Sequence, residues 1–234
     1  MRILYLIPAR KGSKGLPGKN IKTLIDKPLI IYTVEFALKN KKDGDELCIS
    51  TNDEKVLEIM TDLGLHVPFI RPEELATDSA NSYDVIIHAL KYYESVNKSF
   101  DAVLLLQPTS PLRNQEDFDN LIKCYSESID MIVSVKKVKD NPYFNLFEEN
   151  NLGFLEKCMN VNFQTRQDVP SVYAFNGSMY LMNVNSLKKK SIINFDKIIK
   201  FIMPDERSVD IDTIQDWKIA EFYLKDKQNN KKKA

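Results

Sequence analysis

The sequence predicts an α/β fold: an open, mostly parallel sheet with helices on both faces. Three observations carry that expectation. Short apolar runs alternate with helix-period segments through roughly the first 135 residues. Two of the runs, RILYLIP and DAVLLLQ, are apolar at consecutive positions, as strands covered on both sides must be. The composition, 43% hydrophobic and 28% charged over 234 residues, suits one domain able to bury a core.

RILYLIP reads as the first strand, ending at a turn residue. After a Gly-rich loop, PLIIYTVEFALKN places Leu29, Tyr32, Thr33, Phe36 and Ala37 at helical spacing, with Pro28 at a first helical position. ELCIST is the second strand. Asn52 and Asp53 can cap the next helix, whose inner face is Val56, Leu57, Met60 and Leu63, and Gly64 ends it. HVPFI is expected as a third strand, SYDVIIHALKYYESV as an amphipathic helix and DAVLLLQ as a central strand. A helix from about Glu116 to Ser126 and the strand DMIVSV follow. Beyond Val138 the alternation breaks. KDNPYFNLFEENNLGFLEKC mixes turn residues with Tyr143, Phe144, Phe147 and Phe154. Such an excursion either folds back over its own sheet edge or packs against a second subunit, where aromatics are enriched. GSMYLMNV and KIIKFIM resume strand character, and DTIQDWKIAEFYL closes with a helix carrying Ile214, Trp217, Ile219, Ala220 and Tyr223. The expected organisation is one domain over 1–226, with 138–175 as the excursion and 227–234 as a disordered basic tail.

Several function classes are disfavoured. Lys plus Arg equal Asp plus Glu at 33 each, which argues against a broad nucleic-acid footprint. Cys48, Cys124 and Cys158 are odd in number, far apart and in no CxxC pattern, so they are expected to be buried cytosolic thiols and not disulfides or metal ligands. No apolar run approaches the ~20 residues that span a bilayer. The Ile3–Ala9 run is too short for a signal and enters the loop directly. The expectation is a soluble, cytoplasmic protein without a membrane partner. His66 and His88 are the only histidines, and no His-based triad or zinc cluster can be assembled from them.

The loop after the first strand, IPARKGSKGLPGKN, resembles a phosphate-binding G-x-x-x-x-G-K-[ST] loop and departs from it twice. Five residues separate Gly12 from Gly18, and Asn20 follows Lys19 where a magnesium-binding hydroxyl would stand. It departs from the dinucleotide fingerprint as well, since Gly12, Gly15 and Gly18 are evenly spaced. The composition still points to a polyphosphate. Glycines admit close backbone approach, and four basic side chains on one turn repel unless an anion lies among them. In SVDID, Asp210 and Asp212 alternate with core-directed Val209 and Ile211, so both carboxylates share one face. They would suit Mg²⁺, which takes one or two carboxylates plus substrate phosphates. Asp212 could instead cap the following helix. Beside a polyphosphate loop the metal reading prevails. RPEELATDSANS contributes Arg71 and small polar residues; QPTSPLR places Gln107, Thr109 and Ser110 at the mouth of the sheet. RQDVPSVYAFNGSMY offers Arg166, Gln167, Asn176 and Tyr180, a set suited to a sugar acid. Ligands of open α/β sheets bind beyond the strands' carboxyl ends, where these loops would meet.

IPARKGSKGLPGKN, RPEELATDS, LLQPTSPLR, the RQD-to-NGSMY stretch and SVDIDT occur in this order in CMP-sialic acid synthetases, and the chain resembles that family from Arg2 to about Leu224. It is also similar to CMP-Kdo synthetases, but GLPGKN and NG-x-x-Y favour the nine-carbon branch. The resemblance implies a Rossmann-like domain with a swapped excursion that makes a homodimer. It implies CTP and a 2-keto sugar acid as substrates, with Mg²⁺ (or Mn²⁺), giving a CMP-sugar and pyrophosphate. Carried over by position, Arg10, Ser13, Lys14, Lys19 and Asn20 would hold phosphates and ribose, and Arg71, Ala80 and Ser82 would frame the nucleotide. Gln107, Ser110, Arg166, Gln167, Asn176 and Tyr180 would face the sugar. Asp210 and Asp212 would face the metal, with Asp212 helping to deprotonate the attacking hydroxyl. Many sialic acid enzymes carry a basic residue two positions before NG, where this chain has Ala174. NPYFNL, at Asn141 to Leu146, looks more like legionaminic acid activating relatives. N-acetylneuraminic acid is the favoured substrate, with a 5,7-diamido relative as the alternative.

Overall fold

The computed structural model describes the chain except Ser13, Asn160, Asn162, Gln164 and Ala234, with residues 230–233 described by backbone alone. Strand β1 (Ile3–Pro8) is followed by a two-residue hairpin, β2 (Thr23–Leu24) and β3 (Lys27–Pro28), and by helix α1 (Leu29–Asn40). Next come β4 (Glu46–Ser50), α2 (Glu54–Asp62), α3 (Ser82–Ser95), β5 (Ala102–Leu106), α4 (Gln115–Lys123) and β6 (Met131–Lys137). A small hairpin, β7 (Phe147–Glu149) and β8 (Leu155–Lys157), interrupts the alternation. The chain closes with β9 (Tyr173–Asn183), α5 (Val184–Lys189), β10 (Ile198–Ile202) and α6 (Ile214–Lys233).

Six strands form one sheet in the order β10-β6-β9-β5-β1-β4. Neighbours run parallel, except that β9 is antiparallel to both β5 and β6. The period-2 geometry of β1 sends Ile3, Tyr5 and Ile7 to the layer of α1, α2 and α4, and Leu4 and Leu6 to the layer of α3 and α5. A third cluster packs α6, through Trp217 and Ala220, against Leu24, Leu29, Leu112 and Ile211. Asp53 caps α2 as the sequence suggests, accepting from the Lys55 N–H; Asn81 caps α3 by accepting from the Asp84 N–H, and Asn114 forms a capping box with Asp117, neither of them singled out along the chain.

Two expectations change. HVPFI forms no strand; only Ile70 bridges to Thr51. Pro68 removes a ladder donor from the run, which lies beside the edge strand β4. Residues 227–233, expected as a disordered tail, continue the α6 backbone. That run contains neither Gly nor Pro and is rich in Lys, a good helix former. Of the excursion, whose packing the sequence left open, Phe147, Leu152, Phe154 and Leu155 are exposed.

Candidate active site

Two adjoining cavities open where the parallel strands end. The smaller, about 150 Å³, is framed by Arg71, Leu75, Thr77, Ala80, Ser82 and Val85. The larger, about 400 Å³, is bounded by Lys14, Gly15, Lys19, Thr109, Tyr180, Asp210 and Asp212 among others. Pro8, Arg10 and Gln107 border both. The strand ends of β1 and β5 therefore form the ridge between them, as the sheet topology dictates.

At the small cavity, Arg71 is buried beneath the end of β4. Its guanidinium donates to the Ser50 carbonyl at 2.5 Å and the Ser50 hydroxyl at 3.0 Å. Burial, with some help from Arg10, pushes its pKa down to about 10, so it remains charged at neutral pH. The opening loop is tied to the next loop by one carboxylate that sequence reading did not single out. Arg10 donates to Asp78 Oδ1 at 2.6 Å and to the Ala76 carbonyl at 3.1 Å, and Lys14 pairs with Asp78 Oδ2 at 2.8 Å. The hydrogen bonds from Lys14 and Arg10 hold Asp78 below the usual carboxylate range. Asn20 is nearly buried and donates to the Arg10 carbonyl. Ser13 lies outside the described residues.

At the large cavity, Lys19 donates to Asp212 Oδ1 at 2.7 Å and to the Ile211 carbonyl at 2.8 Å. Asp212 does not cap α6. Thr213 and Asp216 do that: the Asp216 carboxylate accepts from the Thr213 N–H at 2.8 Å, and the Asp216 N–H donates back to the Thr213 hydroxyl. The capping alternative for Asp212 therefore falls away, and its carboxylate is held by Lys19 instead. Asp210 is different. Its Oδ1 is buried with no hydrogen-bond partner among the described residues. Burial raises its pKa, against a lowering hydrogen bond from Thr109. Two glycines make room for the pair. A Cβ on Gly15 would come within 2.3 Å of the Asp212 carbonyl oxygen. One on Gly177 would come within 2.5 Å of Asp210 Oδ2, at a left-handed φ of +71°. Gly177 lies where β9 bulges, since β6 advances only from Val133 to Val135 while β9 runs from Tyr180 to Phe175.

Not every expected sugar ligand is at the cavity. Gln107 and Tyr180 are. Asn176 is only 2% exposed; its Oδ1 accepts from the Ser134 hydroxyl and the Ser178 N–H, and its Nδ2 donates to the Ser208 hydroxyl. It bolts β6, the bulge and the 208 loop together, because a buried amide must satisfy its own polar atoms. Ser110 is fully buried and donates to the Asn176 carbonyl. Arg166 and Gln167 lie exposed on the excursion, where Arg166 donates to the Lys139 carbonyl, and neither borders either cavity. His88 stays structural as expected, its ring edge-on to Phe69 at 4.6 Å. No helix among the described residues is long and apolar enough to cross a membrane.

With this geometry in place, the similarity to known proteins is decisive. The family model described as cytidylyltransferase matches residues 4–230. The chain belongs to the cytidylyltransferase family. It is 33% identical to the CMP-N,N'-diacetyllegionaminic acid synthase of Legionella pneumophila, across 94% of this chain and 95% of that protein. It is 32% identical to the N-acylneuraminate cytidylyltransferase of Escherichia coli O18:K1:H7, across 99% of this chain but 54% of that protein. Among solved structures, a CMP:2-keto-3-deoxy-manno-octonic acid synthetase complexed with CTP superposes with a TM-score of 0.69. That match covers 97% of this chain and all of the other at 16% identity, and it supports the open α/β fold.

Proposed function

We propose that the protein transfers CMP from CTP to the anomeric hydroxyl of a nine-carbon 2-keto sugar acid, releasing pyrophosphate, and that the acid is a 5,7-diamido compound of the legionaminic type. The end-to-end match with the diacetyllegionaminic acid relative carries this reading. A feature of the acceptor side supports it. Phe175 is 55% exposed and meets Tyr180 edge-on at 6.0 Å, so apolar surface adjoins the large cavity. That surface, with Ala174 beside it, suits the methyl of a second acylamido group better than a free hydroxyl. The diamido acid therefore replaces N-acetylneuraminic acid as the favoured substrate.

In this reading the cytosine nucleoside enters the small cavity between Arg71, Ala80 and Ser82. Arg10, Lys14 and Lys19 carry the phosphates, and Asn20 keeps the Arg10 backbone in place. Gln107 and Tyr180 orient the acid. The hydroxyl oxygen attacks the α-phosphorus, the bond to the bridging oxygen breaks and pyrophosphate departs along the basic loop. The lysines oppose the charge that grows on the phosphate oxygens, and alignment of the two substrates supplies much of the remaining acceleration. The unpartnered Asp210 oxygen, with Asp212 on the same face, fits a hard divalent cation. Mg²⁺ or Mn²⁺ held by Asp210 and Asp212 would neutralise charge on the transferring phosphate. The hydroxyl proton leaves toward this carboxylate edge of the cavity. The exposed apolar residues of the excursion, Phe147, Leu152, Phe154 and Leu155, form a surface suited to a second copy of the chain. Light scattering on a size-exclusion column should give a dimer mass.

The test is a panel: CTP with N-acetylneuraminic, diacetyllegionaminic, diacetylpseudaminic and 3-deoxy-manno-octulosonic acids, followed by mass spectrometry. A CMP conjugate of a diamido acid is expected to form fastest. A conjugate of N-acetylneuraminic acid alone would overturn the diamido assignment, and no conjugate at all would overturn the transfer.

A further inference from the structure

Arg113 closes the QPTSPLR stretch, borders neither cavity and is 6% exposed. Its guanidinium spends its donors in three directions. Nε donates to the Ser178 hydroxyl at 3.1 Å, Nη1 to the Thr33 hydroxyl at 2.9 Å, and Nη2 to the Gln107 carbonyl. Its plane lies over the Phe36 ring at 5.5 Å. Among the described residues no carboxylate touches it. Asp117, whose charge acts on it, is already engaged by both sides of the Arg207 guanidinium. The other carboxylate acting on it is Asp210.

A buried guanidinium held only by neutral acceptors is a costly way to fill a core, since an apolar side chain of similar volume is often as stabilising or more so. What the cation does hold is specific. Gln107 is the ridge between the cavities. Ser178 follows Gly177, the bulge residue pressed against Asp210. One planar group thus joins the end of β5 to the bulge of β9, the two backbone segments that carry Gln107, Gly177 and Tyr180 to the large cavity. A lysine offers a point charge at the end of a flexible stem and cannot reproduce three fixed directions.

We propose that Arg113 is a positioning residue that acts mainly on the acceptor half of the site, setting the spacing between Gln107, which borders both cavities, and the β9 bulge, which borders only the large one. The inference rests on the sugar-acid reading above. A displacement of about 1 Å at a reacting group can cost roughly 100-fold in rate, so the effect should fall mainly on terms containing the acid.

The experiment compares wild type with Arg113→Met, Arg113→Lys and Ser178→Ala. The measurements are calorimetric CTP affinity, kcat and KM for the acid, and thermal midpoint. Expected are a CTP affinity within about threefold of wild type, a kcat/KM for the acid about 100-fold lower in Arg113→Met, and a loss of at least about tenfold in Arg113→Lys. Ser178→Ala removes one bond without removing the cation. It should raise the KM for the acid by several-fold in protein still fully folded at the assay temperature, with the midpoint lowered by the one orphaned buried donor. A loss shared equally by CTP and acid, or a loss that follows the folded fraction, overturns the proposal. If Arg113→Met does not fold, unchanged acid kinetics in Ser178→Ala overturn it too. A wild-type protein that turns over no acid at all sinks the sugar-acid reading itself and this proposal with it. Turnover by wild type without the split sinks the positioning role alone.

Discussion

At the Arg10 end of the site two cations share one carboxylate, and both oxygens of Asp78 are taken. At the Asp210 end a buried carboxylate keeps one oxygen without a partner among the described residues, although Lys19 stands nearby on Asp212. The first end keeps a net positive charge, two cations against one carboxylate, and sits largely at the surface. The second leaves one oxygen of a buried carboxylate unsatisfied in a desolvated place, at a cost in stability. The contrast separates a region whose cations are already paired within the protein from a region whose polar demand the protein leaves open.

Asp210→Asn should break the contrast most severely. Turnover is expected to fall by about 10³-fold. Stability should rise by about 1 kcal/mol, because a buried, unpaired charge is removed. Steady-state kinetics beside a urea titration would check both signs, and a loss of stability would mean Asp210 is satisfied after all. Gly177→Ala should follow. Its new methyl meets Asp210 Oδ2 and forces a left-handed backbone onto alanine. A turnover loss of roughly 100-fold and a destabilisation of about 1–2 kcal/mol are expected. Asp78→Asn sharpens the other side. With the internal anion gone, Arg10 and Lys14 are free for phosphate, so pyrophosphate should bind several-fold tighter at low ionic strength. The gain should fade toward 1 M salt, where the Debye length is about 3 Å. Weaker binding in calorimetry would recast Asp78 as an organiser of the loop.

The smallest effect on catalysis should come from Asp130, remote from both cavities. It accepts from the Ser186 hydroxyl at 2.6 Å and from the Asp196 and Lys197 N–H groups, and pairs with Lys190 at 3.1 Å. The Ser186 bond leads the causes that hold its carboxyl far below the usual range. A depressed carboxylate stabilises the fold above the unfolded pKa of about 3.9, and that stabilisation drains away as pH falls below it. Asp130→Asn should therefore unfold about 1–3 kcal/mol more easily at pH 7, with the gap to wild type narrowing toward pH 3. KM values should not move. A gap independent of pH would show that packing, not charge, supplies the difference.

Much of this protein was legible along the chain. The strand–helix alternation follows from local periodicity, and the opening loop, Arg71, Gln107, Tyr180 and the Asp210–Asp212 pair were legible because their chemistry is written in residue types at short spacing. Pro68 undid one expected strand, a local signal outweighed by the apolar run around it. The rest depended on contacts between distant segments. Asn176 looks like a ligand in its motif, but only packing shows its polar atoms spent inside the core, and Arg113, which the sequence reading passed over, is likewise spent there. Asp78 reads as one letter of a polar loop until folding brings Arg10 and Lys14 to it across more than sixty positions. Sequence determines which groups are available, since that is covalent. Whether a given group faces a ligand or satisfies a neighbour is decided by desolvation, and desolvation exists only once the layers have closed.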